Sequence, residues 1–444
     1  MAEWVAPGSG PSRVQSWSAR GTGRDHTVGS GPADTASRTT VDPAIWREHG
    51  RPLVRAEAIG PLTGAEVAVK DLFAVAGHRR GAGVPGWLAE AAPETTHADA
   101  LERLLAAGAT VRGITHADEF GYGMVGRNAH YGTPPNAAVP GAVPGGSSSG
   151  TAAAVGLGLA DVGLGTDTAG SVRIPASYQG LWGLRTSHGR VPTVGVLPLA
   201  PSFDTVGLLT RTADVLAAAT HALLGTATDA RRGDAAEDDP EPGTFPLVVD
   251  TDALAAVSDP VRALFRAALQ RIAADAGLGP VEPVRLGDPG TRAECFRVVQ
   301  AAEAWRAHGR WVATHPGALG PDVSERFAVA ADVDPGTEQR ARARAAELRG
   351  CLDERLDGRV LLLPTAPSPA PPLTSNAAEL NDVRRGILRL TSIAGLGGYP
   401  ALSVPSLVIT TLHASAPVGL CLVGPRGSDL ALIALGRRID QALK

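Results

Sequence analysis

Apolar and polar positions along the chain follow two repeating patterns. Short apolar runs, some of them alternating with polar residues, are typical of buried strands, whereas longer stretches with apolar residues three and four positions apart are typical of helices. Residues 65–70, 97–107 and 110–114 form the first strand–helix–strand unit of this kind. Such a unit is typical of an α/β domain with a mostly parallel sheet.

The same patterns continue to the end of the chain. They predict further strands at 162–165, 206–209, 245–249, 360–363 and 417–423. They predict further helices at 149–159, 172–182, 213–224, 259–276, 337–356 and 428–443. The longest uncharged run, 391–412, contains two prolines and three glycines. We therefore expect a loop and a strand there rather than a membrane helix.

Two segments lack an apolar repeat. Residues 1–42 are rich in Gly, Ser, Thr and Arg, which predicts a disordered or loosely attached leader without a signal peptide. Residues 225–243 are polar and acidic and contain Pro and Gly. This composition predicts an exposed connection.

Composition narrows the class of protein. The chain has 444 residues, and 44% of them are hydrophobic, which is enough for a sizeable core. Its formal net charge of −4 gives no indication of a nucleic acid or a membrane as partner. Cys295, Cys351 and Cys421 are far apart, and no metal-binding His or Cys motif occurs. We therefore expect neither a disulfide framework nor a metal site, and a cytoplasmic location.

Residues 144–173 combine many glycines with two clusters of hydroxyl side chains. Glycine at this density indicates a backbone that approaches a ligand closely or points its N–H groups at one. A flexible linker is the plain alternative, but the apolar residues at 152–155 and 157–159 favour a helix instead. This stretch is therefore the first candidate for a functional site.

The chain contains only two lysines, Lys70 and the C-terminal Lys444. A buried lysine, unlike an arginine, can have its pKa lowered far enough to act as a base. Compositional drift would also explain a single internal lysine. However, Lys70 ends a predicted strand, and neither hydroxyl cluster contains a histidine. Lys70 is therefore the candidate base for a serine nucleophile, and the backbone amides of 168–171 are candidate donors to an oxyanion.

Two other motifs offer different interpretations. Gly121 to Gly126 matches the glycine pattern of dinucleotide-binding loops, but a Pro-rich loop follows it rather than a helix, so the match is interpreted as chance or tight packing. Gly146 to Gly150 matches the nucleophile elbow of α/β-hydrolases with Ser148 at its centre, although no apolar strand precedes it. A histidine-dependent esterase that uses Ser148 is therefore the alternative chemistry.

Three segments together resemble the amidase signature family. They are Val67 to Asp71, Gly145 to Gly150 and Gly165 to Pro175, and the likeness extends from about residue 60 to the C-terminus. The resemblance implies a serine–serine–lysine triad. In it, Ser171 is the nucleophile, Ser147 is the bridging serine that follows a cis peptide bond, and Lys70 is the neutral base.

The resemblance also implies which groups support the triad. The oxyanion would be held by the backbone N–H groups of Thr168, Ala169, Gly170 and Ser171. The supporting side chains would be Ser148, Asp167 and Arg173. Members of the family commonly have glycine where this chain has Ala169, and a positive φ at that position would strain the extra methyl group.

The same resemblance implies the fold and the reaction. We expect an α/β fold of the amidase-signature type, with a large twisted mixed sheet flanked by helices on both faces. It would form a single domain at 43–444, with a signature core at about 60–215 and a variable pocket region at about 225–375. The enzyme would hydrolyse an amide C–N bond through a seryl acyl-enzyme, without cofactor or metal. Its partner would be a small-molecule amide, with a homodimer as one possible assembly.

The finer resemblance concerns the substrate. The indole-3-acetamide amidohydrolases of this family are similar to the chain at 128–133, 178–183 and 202–207. The expected substrate is therefore a small aryl- or indolyl-acetamide, with the acid and ammonia as products, and the pocket is expected at 121–133, 178–183 and 289–330. The alternatives are a urea or carbamate derivative such as biuret, allophanate or a urethane, an ammonia-delivering subunit of an amidotransferase complex, and an inactive homologue.

Overall fold

A computed structural model describes residues 41–225, 245–410 and 415–444. The leader predicted for 1–42 lies outside the described residues apart from its last two. The connection predicted for 225–243 lies outside them apart from Gly225. No helix in the described part of the chain is long and apolar enough to cross a membrane.

Eleven strands of the described residues form one sheet. In chain order they are β1 (Trp46–Val54), β2 (Glu66–Lys70), β3 (Thr110–Thr115), β4 (Val162–Thr166), β5 (Trp182–Arg185), β6 (Val206–Thr210), β7 (Leu247–Asp250), β8 (Val281–Val284), β9 (Val360–Pro364), β10 (Ala401–Thr410) and β11 (Ser415–Val423). The order across the sheet is β1–β3–β2–β4–β6–β5–β10–β11–β9–β7–β8.

The sheet mixes parallel and antiparallel pairs. β2 is parallel to β3 and β4, and β7 is parallel to β8 and β9. The strands that join these two parallel groups, from β4 across to β9, pair antiparallel. The expected mixed sheet is confirmed, whereas a mostly parallel arrangement is found only within these two groups.

Helices pack on both faces of the sheet. They are α1 (Pro85–Glu90), α2 (Asp99–Ala106), α3 (Ser149–Gly156), α4 (Arg173–Gln179), α5 (Ala213–Leu224), α6 (Asp259–Ala274), α7 (Pro289–Thr314), α8 (Pro321–Ala331), α9 (Pro335–Leu356), α10 (Ala377–Gly397) and α11 (Asp429–Leu443). Successive residues of a strand point to opposite faces. In β6, Leu209 packs with Val155 of α3 and Ala176 of α4, whereas Leu208 lies in the main core cluster together with Leu216 of α5.

Two predicted elements differ from the structure. The first seven residues of the run 391–412, expected to be a loop, form the last turns of α10. Its glycines allow close packing rather than breaking the helix, because a Cβ added at Gly395 would lie 2.4 Å from the Phe296 ring. The helix predicted for 172–182 ends at Gln179, since Gly180 adopts a left-handed conformation and β5 begins at Trp182.

Candidate active site

Two neighbouring parallel strands place Lys70 and Thr166 side by side. Lys70 is the last residue of β2 and Thr166 is the last residue of β4, and β2 and β4 pair with Val69 opposite Leu164. The carboxyl ends of parallel strands meet at the same edge of a sheet, where α/β proteins bind their ligands. Lys70 Nζ lies 2.8 Å from Thr166 Oγ1.

Ser147 completes the surroundings of the lysine. It lies in the loop before α3, and the Gly146–Ser147 peptide bond is cis, as the resemblance implied. Lys70 Nζ lies 2.9 Å from Ser147 Oγ. Both side chains are buried, with Lys70 0% and Ser147 1% exposed, so solvent does not compete for this contact.

The second hydroxyl cluster lies next to the first. The Ser148 N–H donates to the Ser171 carbonyl oxygen at 3.2 Å, which holds the two serine segments together just before α4 begins. The buried Ser148 hydroxyl donates to the Thr166 carbonyl oxygen at 3.4 Å. In the described part of the chain, no histidine hydrogen-bonds to Ser147, Ser148 or Ser171. This geometry gives no support to a histidine-dependent esterase centred on Ser148.

Asp167 organises the loop that carries Ser171. Its carboxylate pairs with Arg173, whose Nε and Nη2 donate at 3.0 and 2.9 Å, and with Arg185 Nη1 at 3.3 Å. It also accepts the backbone N–H groups of Gly170, Val172 and Arg173 at 3.0, 3.2 and 3.3 Å. Burial opposes ionisation of Asp167, but the two guanidinium groups outweigh it and hold its pKa well below the usual range.

These contacts change one predicted role. The Gly170 N–H is engaged by Asp167 Oδ1, so Gly170 is not a free oxyanion donor as the resemblance implied. No acceptor contacts the N–H groups of Thr168, Ala169 and Ser171 among the described residues, and these three remain candidate donors. Ala169 carries no strain from a positive φ, because the residue of this turn with positive φ is Gly170, at +115°.

The electrostatics around Lys70 suit a base. Burial lowers the pKa of Lys70 from 10.5 to about 7, and the carboxylates of Asp118, Asp167 and Asp204 oppose this change. Desolvation disfavours the charged ammonium, and nearby anions favour it. A substantial fraction of Lys70 is therefore neutral near pH 7 and able to accept a proton.

Several buried polar residues of the site were not among the predicted ones. Asp118 accepts the Gly126 N–H at 3.2 Å and the Ser149 hydroxyl at 3.3 Å, and its own N–H donates to the Ser147 carbonyl oxygen at 3.2 Å. Asp204 accepts the Thr168 hydroxyl at 2.6 Å. Thr166 was also missed. It alone had a usable signal in the sequence, because it ends an apolar strand in the same way as Lys70.

Two cavities of about 260 Å³ each are lined in part by residues of the site. The Ser171 cavity is lined by Ser171 and Ala169, by residues 121–124, and by side chains of α7, α8 and α10. The Thr166 cavity is lined by Thr166, Thr168 and mainly apolar residues of 189–201. Segments 121–133 and 289–330 thus contribute to the pocket as expected. The predicted 178–183 lines neither cavity, and α10 contributes without having been predicted.

The site shows no preformed place for a metal. Across 41–225, 245–410 and 415–444, no group of three or more His, Cys, Asp or Glu side chains is arranged to hold a metal ion. The polar groups at the centre are an amine, hydroxyls and backbone amides. Such a set is suited to acyl transfer through a serine.

Comparison with known proteins assigns the family. A family model described as Amidase matches residues 42–433. The chain belongs to the amidase signature family. This amidase is 36% identical over 404 residues to Amidase 1 of Arabidopsis thaliana, covering 84% of the chain and 92% of that protein. It is also 36% identical over 403 residues to 2-amino-5-chloromuconic acid deaminase of Comamonas testosteroni, covering 87% and 83%.

Solved structures agree with this assignment. A crystal structure described as an amidase superposes on the present amidase with a TM-score of 0.74 at 35% sequence identity, covering 85% of this chain and 84% of the other. The amidase-signature fold is confirmed, and the protein is an amide-hydrolysing enzyme. The relatives' names differ in what they act on, so the family alone does not fix the substrate.

Proposed function

We propose that this amidase hydrolyses a small primary amide through a seryl acyl-enzyme, with an aryl- or indolyl-acetamide as substrate and the acid and ammonia as products. The observation that carries the mechanism is the 2.9 Å contact between Lys70 Nζ and Ser147 Oγ, made by a fully buried lysine whose pKa is lowered to about 7. The likeness to Amidase 1 over most of both chains supports amide hydrolysis. The choice of substrate rests on the resemblance of 128–133, 178–183 and 202–207 to the indole-3-acetamide amidohydrolases.

The proposed reaction begins with proton transfer. Neutral Lys70 takes the proton of Ser147, and Ser147 takes that of Ser171, whose oxygen attacks the amide carbon. The free N–H groups of Thr168, Ala169 and Ser171 stabilise the oxyanion. One such donor is worth roughly 3–4 kcal/mol of barrier.

The C–N bond then breaks as Ser147 returns a proton to the nitrogen, and ammonia leaves. Water gives up a proton along the same relay and attacks the ester carbon of the acyl-enzyme. Ser171 regains its proton and the acid is released. Asp167 and Arg173 contribute by fixing the shape of the loop on which Ser171 lies.

Ammonia release from a panel of primary amides, ureas and carbamates tests this function. We expect release from phenylacetamide or indole-3-acetamide, lost in Ser171→Ala and retained in Ser324→Ala, a control on the exposed side of α8. Release only from ureas or carbamates would keep the mechanism and replace the substrate. Release that survives Ser171→Ala would refute the assignment of the nucleophile.

A further inference from the structure

The Ser171 cavity contains a cluster of three charged side chains, Asp322 and Arg326 of α8 and Arg384 of α10. Both Nη groups of Arg384 donate to the Asp322 carboxylate, Nη1 at 2.7 Å from Oδ1. Arg326 Nη2 donates to the same carboxylate at 2.9 Å. One carboxylate is thus shared by two guanidinium groups, and the charged cluster has a net charge of plus one.

Within the charged cluster, the positive charge of Arg384 lies where water screens it poorly. Arg384 is 8% exposed, and its Nε has no hydrogen-bond partner in the described part of the chain. Burial lowers the pKa of Arg384, and the neighbouring Arg326 adds to this effect. A buried donor without a partner is costly, so an additional acceptor with negative charge would stabilise Arg384.

The other charged side chains around the cavity are paired elsewhere or exposed, and among the described residues they do not form ion pairs with the charged cluster. Arg297 is paired with Glu294, and Arg385 with Asp382. Glu325 also lines the cavity, but it is exposed to solvent. Asp118 lies on the catalytic side and accepts the Gly126 N–H and the Ser149 hydroxyl. In the described part of the chain no hydrogen bond joins it to Arg384 or Arg326, and it acts on them only through space. Among the residues that line the cavity, Arg384 and Arg326 therefore share one hydrogen-bonded carboxylate, that of Asp322.

We infer that the acyl group of the preferred substrate carries a carboxylate, which binds to Arg384 and Arg326 while the amide carbon reaches Ser171. Within the proposed arylacetamides, this selects those with an anionic substituent on the ring. A guanidinium group binds a carboxylate with charge-assisted hydrogen bonds of defined geometry. The inference rests on the proposed function, because it requires the acyl group to fill the Ser171 cavity.

The first test compares matched substrates. We expect kcat/KM for ammonia release from (4-carboxyphenyl)acetamide to exceed that from phenylacetamide by about 10-fold or more. Arg384→Met should abolish this preference by raising KM for the anionic substrate, and Arg384→Lys should retain part of it. Arg389→Met, an exposed arginine of the same helix that does not line the cavity, should leave the preference unchanged.

A second measurement separates this inference from the proposed function. In the Ser171→Ala protein, calorimetry should show (4-carboxyphenyl)acetate binding about 10-fold more tightly than phenylacetate, with the difference lost when Arg384→Met is added. If the calorimetry gives this result but the wild-type enzyme turns over no amide, the proposed function is refuted and the anion site is kept. Equal binding of the two acids, or a preference that survives Arg384→Met, would overturn the inference.

Discussion

The two polar regions of the active site differ in burial and in origin. The side chains at the chemical centre, Lys70, Ser147 and Asp167, are at most 1% exposed. Lys70 ends a strand, Asp167 follows one, and Ser147 precedes a helix. The charged cluster lies on α8 and α10, and its Asp322 is 49% exposed. The buried region fixes which bond is broken, whereas the more open region bears on which molecule enters.

The two regions also differ in how strongly solvent screens their charges. Charges in a buried region are screened little by solvent, so each of them affects the pKa values of its neighbours. The partly exposed cluster is screened more and acts mainly on ligands that displace its water. Changes in the buried centre should therefore alter chemistry and stability, and changes in the cluster should alter preference among substrates.

The largest effect is expected from removing the base. Lys70→Met should lower kcat for amide hydrolysis by about 10³-fold or more, because Lys70 is the base in contact with Ser147. The matched control is Lys444→Met, which removes the other lysine of the chain and should leave kcat unchanged. Activity that survives Lys70→Met but is lost in Ser148→Ala would instead favour the histidine-dependent esterase.

A large effect on folding is expected at Asp167. Asp167→Asn leaves Arg173 and Arg185 buried without their counter-charge, which should lower the free energy of unfolding by about 3–5 kcal/mol. Urea denaturation measures this change. Glu347→Gln, which breaks an exposed ion pair with Arg344, should not change the urea midpoint measurably. A stability of Asp167→Asn equal to that of the wild type would contradict the role given to this carboxylate.

A smaller effect is expected from pH. The pKa of Lys70 is lowered to about 7, so the base is protonated and inactive below that pH. We expect kcat/KM to rise about 10-fold per pH unit on the acidic side and to level off above pH 7.

The carboxylates near Lys70 provide a finer test of this pH dependence. Asp204→Asn removes a negative charge that favours the ammonium form, so the midpoint should move to lower pH. An unchanged midpoint in a folded, active variant would show that Lys70 is not the group that titrates.

The chemical centre could be predicted from the sequence because its residues lie in short segments whose order reveals their position. Lys70 ends a strand, Ser147 precedes a helix, and Asp167 to Ser171 follows the next parallel strand, so local patterns bring them to one edge of the sheet. Asp118 and Asp204 could not be found in this way, since their roles depend on loop contacts that leave no periodic signal.

The cavity wall was harder to predict for a different reason. Arg384 belongs to α10, whose last turns were expected to be a loop, and it meets Asp322 from a helix 62 positions away. Helix–helix contacts of this kind depend on packing, such as the approach of α10 to Phe296 that Gly395 permits. Sequence patterns indicate that a helix exists, but not which helix lies across the cavity from it.

The three N–H groups bound by the Asp167 carboxylate have a consequence for the energetics of turnover. Because the loop from Gly170 to Arg173 is anchored to the protein's own anion, the entropy of fixing its backbone is lost once, during folding. The neighbouring amides then meet each substrate in a nearly final orientation. Charge that develops on the substrate oxygen is stabilised with little reorganisation, and the rate depends correspondingly less on the ordering of this loop.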